Sequence, residues 1–426
     1  MKAKLPGAVL VSLLVVSAAH AGPQGWRTDG TGCYPDAKPP VKWSASENVV
    51  WKTPMPGPSN STPVIVDGKI FICADPAWLI CVNAADGKIL WQKSNTYFDM
   101  MDEQEIAKAK ADIAAGKVVA GKLRSAKGEL NKLKRKQKDV PKDQELKDKI
   151  KATGATIREL TSELKALSKY MKASADGTTG YSTATPAADG KGVYAVFGNG
   201  VAAGYTPDGK RKWIRYLAKP RSGYGHSGSP LLVGSKLLVH ITEMVALNVA
   251  DGKTAWAARL GARFGSPVLT KIGDVDVAAT AGGEIVRMAD GKLLARGLGG
   301  LVYNSPIVAG DGLYLVQARP VAFKLPEKAA EKIKPERVWK GRPKIKKDRY
   351  YSSPLHTDGL IYAVTQTGVL SVLDAKTGEL VYERALKLGG TAYASISAAG
   401  KYVFVSGDRG VTAVIETGRD YKEIAR

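Results

Sequence analysis

The chain has 426 residues, of which 44% are hydrophobic, 24% are charged and 46 are glycine. That apolar share excludes a disordered polymer, and the length allows one large or two ordinary domains. A formal charge of +23 favours acidic partners: an envelope protein, a glycan or an anionic membrane surface.

The charge is unevenly placed. Residues 101–172 hold 19 Lys/Arg against 11 Asp/Glu, and residues 324–349 hold 11 against 4. At the amino terminus Lys2 and Lys4 precede an apolar run from Ala8 to Val16, followed by the small-x-small triplet Ala19-His20-Ala21. The run is too short to cross a bilayer and reads as a signal peptide over residues 1–21, cleaved near Ala21. Nothing later is apolar for long enough to span a membrane. The mature chain is expected to be periplasmic or secreted, and export makes nucleic acid the least suitable acidic partner.

Beyond the leader one phrase recurs: Ser/Thr-Pro, three short apolar strands bounded by Gly and Asp, then Asp-Gly-Lys and an aromatic residue. Copies start at Ser61, Ala184, Gly228, Gly265, Asn304, Ser352 and Tyr393. The fourth has Ala295 where others have tryptophan, the fifth reaches its aromatic late at Trp339, and the seventh lacks the proline. Prolines 186, 230, 267, 306 and 354 are separated by 44, 37, 39 and 48 residues, close to the roughly 40 residues of one four-stranded propeller blade. A single blade cannot bury both faces, and radial stacking covers them. The pattern predicts an all-β propeller of seven or eight four-stranded antiparallel blades; a solenoid or sandwich fits the Asp-Gly-Lys regularity less well. Asn48–Lys52 reads as an outermost strand without a blade of its own. The ring therefore has either seven blades and an extra strand, or an eighth blade cut short at Arg426.

Between Trp91 and Thr185 the composition changes to Ala, Lys, Glu and Leu. Leu146, Ile150, Thr153, Ile157, Leu160, Leu164, Leu167 and Met171 alternate spacings of 4 and 3, a heptad seam. The first half, Ile106 to Leu133, is less regular and is weakened by Gly116, Gly121 and Gly128. Asp139-Val140-Pro141 marks a tip. The expectation is an antiparallel helical hairpin with arms of roughly 40 Å, the rival being a parallel coiled-coil dimer. The expected divisions are 1–21 (signal), 22–98 (entry segment and first blade), 99–174 (hairpin) and 175–426 (remaining blades).

The phrase Ala84 to Trp91 resembles the tryptophan-docking repeat of PQQ-like propellers, as does LDAKTGELVY in the sixth copy. That family includes quinoprotein alcohol dehydrogenases and the propeller lipoprotein of the outer-membrane β-barrel assembly machine. The opening GWRTDGTGCYPDAKPPVKW also resembles the entry segment of exported PQQ-repeat proteins of planctomycete type. Resemblance to the dehydrogenases implies a quinone beside calcium, an aspartate base and often a disulfide between adjacent cysteines. This chain has no adjacent cysteines, and its carboxylates gather in turns such as Asp86-Gly87 and Asp251-Gly252, away from the axis.

Strand entries nearest the axis carry Asn60, Thr183, Ser227, Phe264, Tyr303 and Tyr351, with His226 beside them; Asn60, His226, Phe264, Tyr303 and Tyr351 are the channel-mouth candidates. His226, His240 and His356 lack metal-ligand spacing. Cys73 and Cys81 flank a turn centred near Ala77 and are expected to form a disulfide. Strand alternation places the hairpin on the same face as the other inter-blade links, which carry Lys219, Arg221, Arg263, Lys344, Lys346, Lys347 and Arg349. The Asp-Gly turns fall on the opposite face. The leading expectation is a non-catalytic exported scaffold or binding module, with no cofactor and a basic face for an acidic envelope partner. The alternative is a divergent quinoprotein oxidoreductase holding PQQ and calcium.

Overall fold

A computed structural model describes residues 24–171, 177, 179–220, 222–341 and 345–426. The expected signal peptide, Arg221 and Lys344 lie outside them. Seven antiparallel meanders of four strands follow one another, over residues 64–94, 187–216, 231–258, 268–295, 307–340, 355–385 and 397–425. These are blades 1 to 7. Inner strands of successive blades pack side by side, and apolar residues from adjoining blades form shared clusters. Phe71, Leu79 and Cys81 of blade 1, for example, meet Val193, Ala195 and Tyr205 of blade 2. Burying both faces of each sheet in this way is what makes the repeat obligatory.

The Ser/Thr of the repeat has a structural reason. Backbone N–H groups of Thr62, Thr185 and Ser229 donate to the hydroxyls of Thr185, Ser229 and Ser266, at 3.2, 3.0 and 2.9 Å. Ser305 donates likewise to Ser353 at 3.1 Å. A partial girdle of amide-to-hydroxyl bonds thus ties blades 1 to 4 in succession, and blade 5 to blade 6.

The Asp-Gly turn and the aromatic residue form a second tie, farther from the axis. Trp213, on the outer strand of blade 2, lies over Gly252 of blade 3 and donates its indole N–H to the Val249 carbonyl at 3.0 Å. A Cβ on Gly252, whose φ is +69°, would stand 2.6 Å from the indole, so the position requires glycine twice over. Trp91, Trp256 and Trp339 dock in the same manner on blades 2, 4 and 6, donating to Pro207, Met288 and Ala375.

Closure of the ring differs from the sequence expectation. Asn48–Lys52 forms no strand. Trp51 instead docks on blade 1, its indole N–H donating to the Ala84 carbonyl at 3.0 Å, as though it ended a preceding blade. Blade 7 owns its fourth strand, Glu423–Ala425. The extra strand is Cys33–Tyr34, which pairs in parallel with the inner strand Ser397–Ala399. The entry segment therefore bridges the last blade and the first.

The same segment fills the axis. Gln24 pairs antiparallel with Ala188 of blade 2, the chain turns at residues 25–28, and Cys33–Tyr34 runs back along blade 7. Arg27 is buried at this turn and donates to the Pro354 and Ile396 carbonyls at 2.8 and 2.6 Å. Burial pulls its guanidinium down to about 10, still charged at neutral pH. The segment touches inner strands of blades 2, 6 and 7, and so plugs the channel.

The insertion is an intramolecular hairpin of α1 (Glu103–Asp139) and α2 (Gln144–Leu167), packed against each other. Helix α1 has 37 residues, about 55 Å at 1.5 Å per residue, and runs unbroken through its three glycines. Gly116 is buried, and a Cβ there would stand 2.6 Å from the Met171 sulfur, so close helix packing offsets its low propensity. Asp102 caps α1 by accepting from the Glu105 amide at 2.8 Å.

Candidate functional site

In an antiparallel meander, inter-blade links and second-to-third-strand turns share one face. The hairpin leaves from that face, between blades 1 and 2, and its root is fixed. Tyr97, Tyr170 and Tyr216 form an aromatic cluster with centroids 5.5 and 6.3 Å apart. Arg211 of blade 2 donates to the Ser94 carbonyl at 2.6 Å. Lys219 reaches the Ser168 carbonyl at 3.5 Å, and partial burial lowers its pKa. It is a strut of the hairpin root more than a free surface charge.

Other basic candidates on this face stand in solvent. Arg263, Lys346, Lys347 and Arg349 are exposed, and none meets a carboxylate within ion-pair distance among the described residues. Arg349 donates to the Tyr351 hydroxyl at 3.1 Å. On the far face two of the Asp-Gly turns neutralise their lysines: Lys88 pairs with Asp86 at 3.1 Å and Lys253 with Asp251 at 3.6 Å.

At the centre of the hairpin face lies a cup of about 670 Å³, floored by Trp26 of the plug. Residues two places before each girdle position surround it. Phe264, Tyr303, Tyr351 and Tyr393, from blades 4 to 7, stand in succession with centroids 5.9, 4.7 and 4.9 Å apart. Tyr224, from the link before blade 3, continues the arc at 6.4 Å from Phe264. The remaining wall, from blades 1 to 3, is polar: Asn60, Thr183 and Ser227.

Of the channel-mouth candidates, Asn60, Phe264, Tyr303 and Tyr351 line this cup. His226 does not. It is buried behind the wall, its Nε2 meets no hydrogen-bond partner, and burial holds its imidazole down at about 4. Sequence reasoning missed Tyr393, because the seventh repeat lacks the proline that would have aligned it. It also missed Tyr224 and Trp26, which lie outside the repeat.

The expected disulfide is corrected by register. Cys73 stands opposite Leu79 and Cys81 opposite Phe71, because the hairpin pivots on Pro76, not Ala77. A one-residue shift of the pivot moves the partner by two, and leaves the cysteines diagonal. Both thiols are free and buried, and burial raises both, Cys81 to about 11.

A quinone with calcium does not fit the cup. Asp408 is its one carboxylate among the described residues, and that carboxylate already accepts from the Thr391 amide at 2.9 Å. No group of three or more His, Cys, Asp or Glu among the described residues is arranged to hold a metal. Nor is any helix among them long and apolar enough to cross a membrane.

No curated protein matches the sequence. Among solved structures, BamB from Moraxella catarrhalis is similar in fold, with a TM-score of 0.54 and 13% identity over 88% of this chain and 90% of that one. The quinohemoprotein alcohol dehydrogenase ADHIIG from Pseudomonas putida HK5 matches at a TM-score of 0.38 and 11% identity, over 84% of this chain and 71% of its own. The corresponding enzyme from Comamonas testosteroni gives 0.38 and 12%, over 82% and 70%. The family model described as outer membrane protein assembly factor BamB matches residues 40–164 and 151–334, which together cover most of the sequence. With seven blades, five of them receiving a docked tryptophan, the chain belongs to that family of repeat propellers.

Proposed function

We propose that this protein is a non-catalytic propeller of the cell envelope that docks an acidic protein partner through its hairpin face. The observation that carries the reading is the asymmetry of charge pairing. Among the described residues Arg263, Lys346 and Lys347 stand without ion pairs on the face from which a rigidly rooted hairpin leaves, whereas Lys88 and Lys253 of the far face are each matched by an aspartate. Unpaired charges on one face act together on a large anionic partner, with an attraction that salt weakens. The family description, an outer membrane assembly factor, agrees with an envelope location after signal cleavage and with protein partners. The described lining of the cup offers a single, already bonded carboxylate, Asp408, which supports a reading without PQQ or calcium.

The test is pull-down from an envelope extract followed by titration of the identified partner. Replacing Arg263, Lys346 and Lys347 by Glu is expected to reduce binding at least tenfold and to flatten its salt dependence. The same reversal at Lys88, Lys253 and Lys376 on the far face is expected to change little. Equal losses from both sets would remove the reading.

A further inference from the structure

The cup has a property that the charge of its rim does not explain. Thr185, Ser229, Ser266 and Ser353 are each at least 95% buried, and each hydroxyl accepts one amide proton from the neighbouring blade. A hydroxyl that accepts still has its own proton to donate. None of these four donates it to a described residue, yet all four line the cup. Buried donors without an acceptor are costly unless something in the cavity takes them. The wall opposite the polar entries is a ledge of five aromatic rings, of which Tyr224 is 64% and Tyr393 40% exposed. Aromatic faces left open in a concave site present apolar, electron-rich platforms.

We infer that the cup is a saccharide-binding site. A sugar ring combines the two complementary features: C–H faces that lie on aromatic platforms, and ring and hydroxyl oxygens that accept from buried donors. A volume of about 670 Å³ lies in the ordinary range for small-ligand sites, about 300–1,000 Å³, and holds the end of a short oligosaccharide. Trp26 closes the floor, so a ligand enters and leaves by one mouth and is bound by its end. A peptide entering end-on would bring a charged terminus into a cup whose charged side chains among the described residues, Arg349 and Asp408, are already engaged by Tyr351 and by the Thr391 amide. A neutral glycan end carries no such cost. The site is separate from the basic rim used in docking, and each can fail without the other.

The experiment titrates the mature protein with cellotriose, maltotriose and tri-N-acetylchitotriose, read by saturation-transfer NMR and by tryptophan fluorescence. At least one trisaccharide is expected to bind saturably. Tyr303→Ala and Tyr351→Ala should each weaken it at least tenfold, and Trp26→Phe should abolish the fluorescence change. Because truncation inside the ledge could disturb the ring, the exposed Tyr393→Ala serves as a second variant; it should weaken binding with the thermal melt unchanged. The rim reversal at Lys346 and Lys347 should leave sugar affinity intact. No binding by any of the three up to about 10 mM, a free energy of only a few kcal/mol, would overturn the inference. So would binding indifferent to all three tyrosine variants, or displacement of every sugar by a peptide that alone responds to them.

Discussion

Two junctions of the ring solve one problem with different chemistry. Between blades 2 and 3, Trp213 covers the Asp-Gly turn and bonds the Val249 carbonyl, with Arg215 beside it donating to the Gly252 carbonyl. Between blades 4 and 5 the corresponding residue is Ala295, and no indole is present. There the long turn of blade 5, which the sequence registers only as a late aromatic, folds back. The Ile333 amide donates to the Leu294 carbonyl at 2.9 Å, and Ala329 and Ile333 pack on the cluster containing Leu294 and Ala295. Glu331 meets Arg287 and Lys292 of blade 4. The lesson is that a propeller needs its outer seam covered but does not need tryptophan to cover it. A loop sent backwards serves where a side chain sent forwards is missing, and it substitutes ion pairs for an indole bond.

The comparison breaks most sharply at Trp213. Its replacement by Ala removes a buried aromatic and leaves the Val249 carbonyl without its donor, so a loss of about 3–5 kcal/mol is expected in chemical denaturation. A loss below about 1 kcal/mol would mean that the girdle, and not the dock, holds blades together. A smaller effect is expected from Ala295→Trp. If the returning loop already occupies the dock, restoring the consensus residue overpacks the seam and costs about 1–3 kcal/mol; a stabilised protein would show the dock to be vacant.

The smallest effect is one of pH. Hydrogen bonds from Arg287 hold the Asp290 carboxyl down from 3.8 to about 2, against an opposing push from burial. A depressed folded value gives stability that is present above the ordinary value and is lost as pH falls through about 2. The side chain is half exposed, so solvent screens the effect. Acid is expected to raise amide exchange in residues 326–335 before it does so at the Trp213 dock, once intrinsic rates are corrected. Simultaneous loosening of both seams would remove the distinction.

These features were unequally legible in the sequence. The blades, their order and most of the aromatic ledge follow from a repeat that encodes its own alignment: fixing the Ser/Thr-Pro positions fixes Phe264, Tyr303 and Tyr351 two residues earlier. The heptad in α2 gave one arm of the hairpin. The other arm was obscured because its three glycines lower local propensity, while the packing that overrides propensity at Gly116 comes from Met171, more than fifty residues away. The plug carries no periodicity at all. Its contacts are single residues on blades 2, 6 and 7, and no pattern within the segment reports where their partners lie. The cysteine register failed for a local reason, since a turn's centre cannot be read to one residue while cross-strand partners depend on twice that error.

The plug has a consequence for how the chain becomes a ring. Arg27 finds its two carbonyls 327 and 369 residues farther along, so one of the first residues to be made is among the last to find its partners. Most blade contacts are local and can form in sequence, whereas this one requires a loop spanning most of the chain to close. Until blade 7 exists, the entry segment holds only its partners on blades 2 and 6, and the parallel pairing of Cys33–Tyr34 that seats it cannot form. The molecule thereby carries its own test of completeness: a chain lacking its final blade lacks a sealed channel as well, and only the finished ring presents the site.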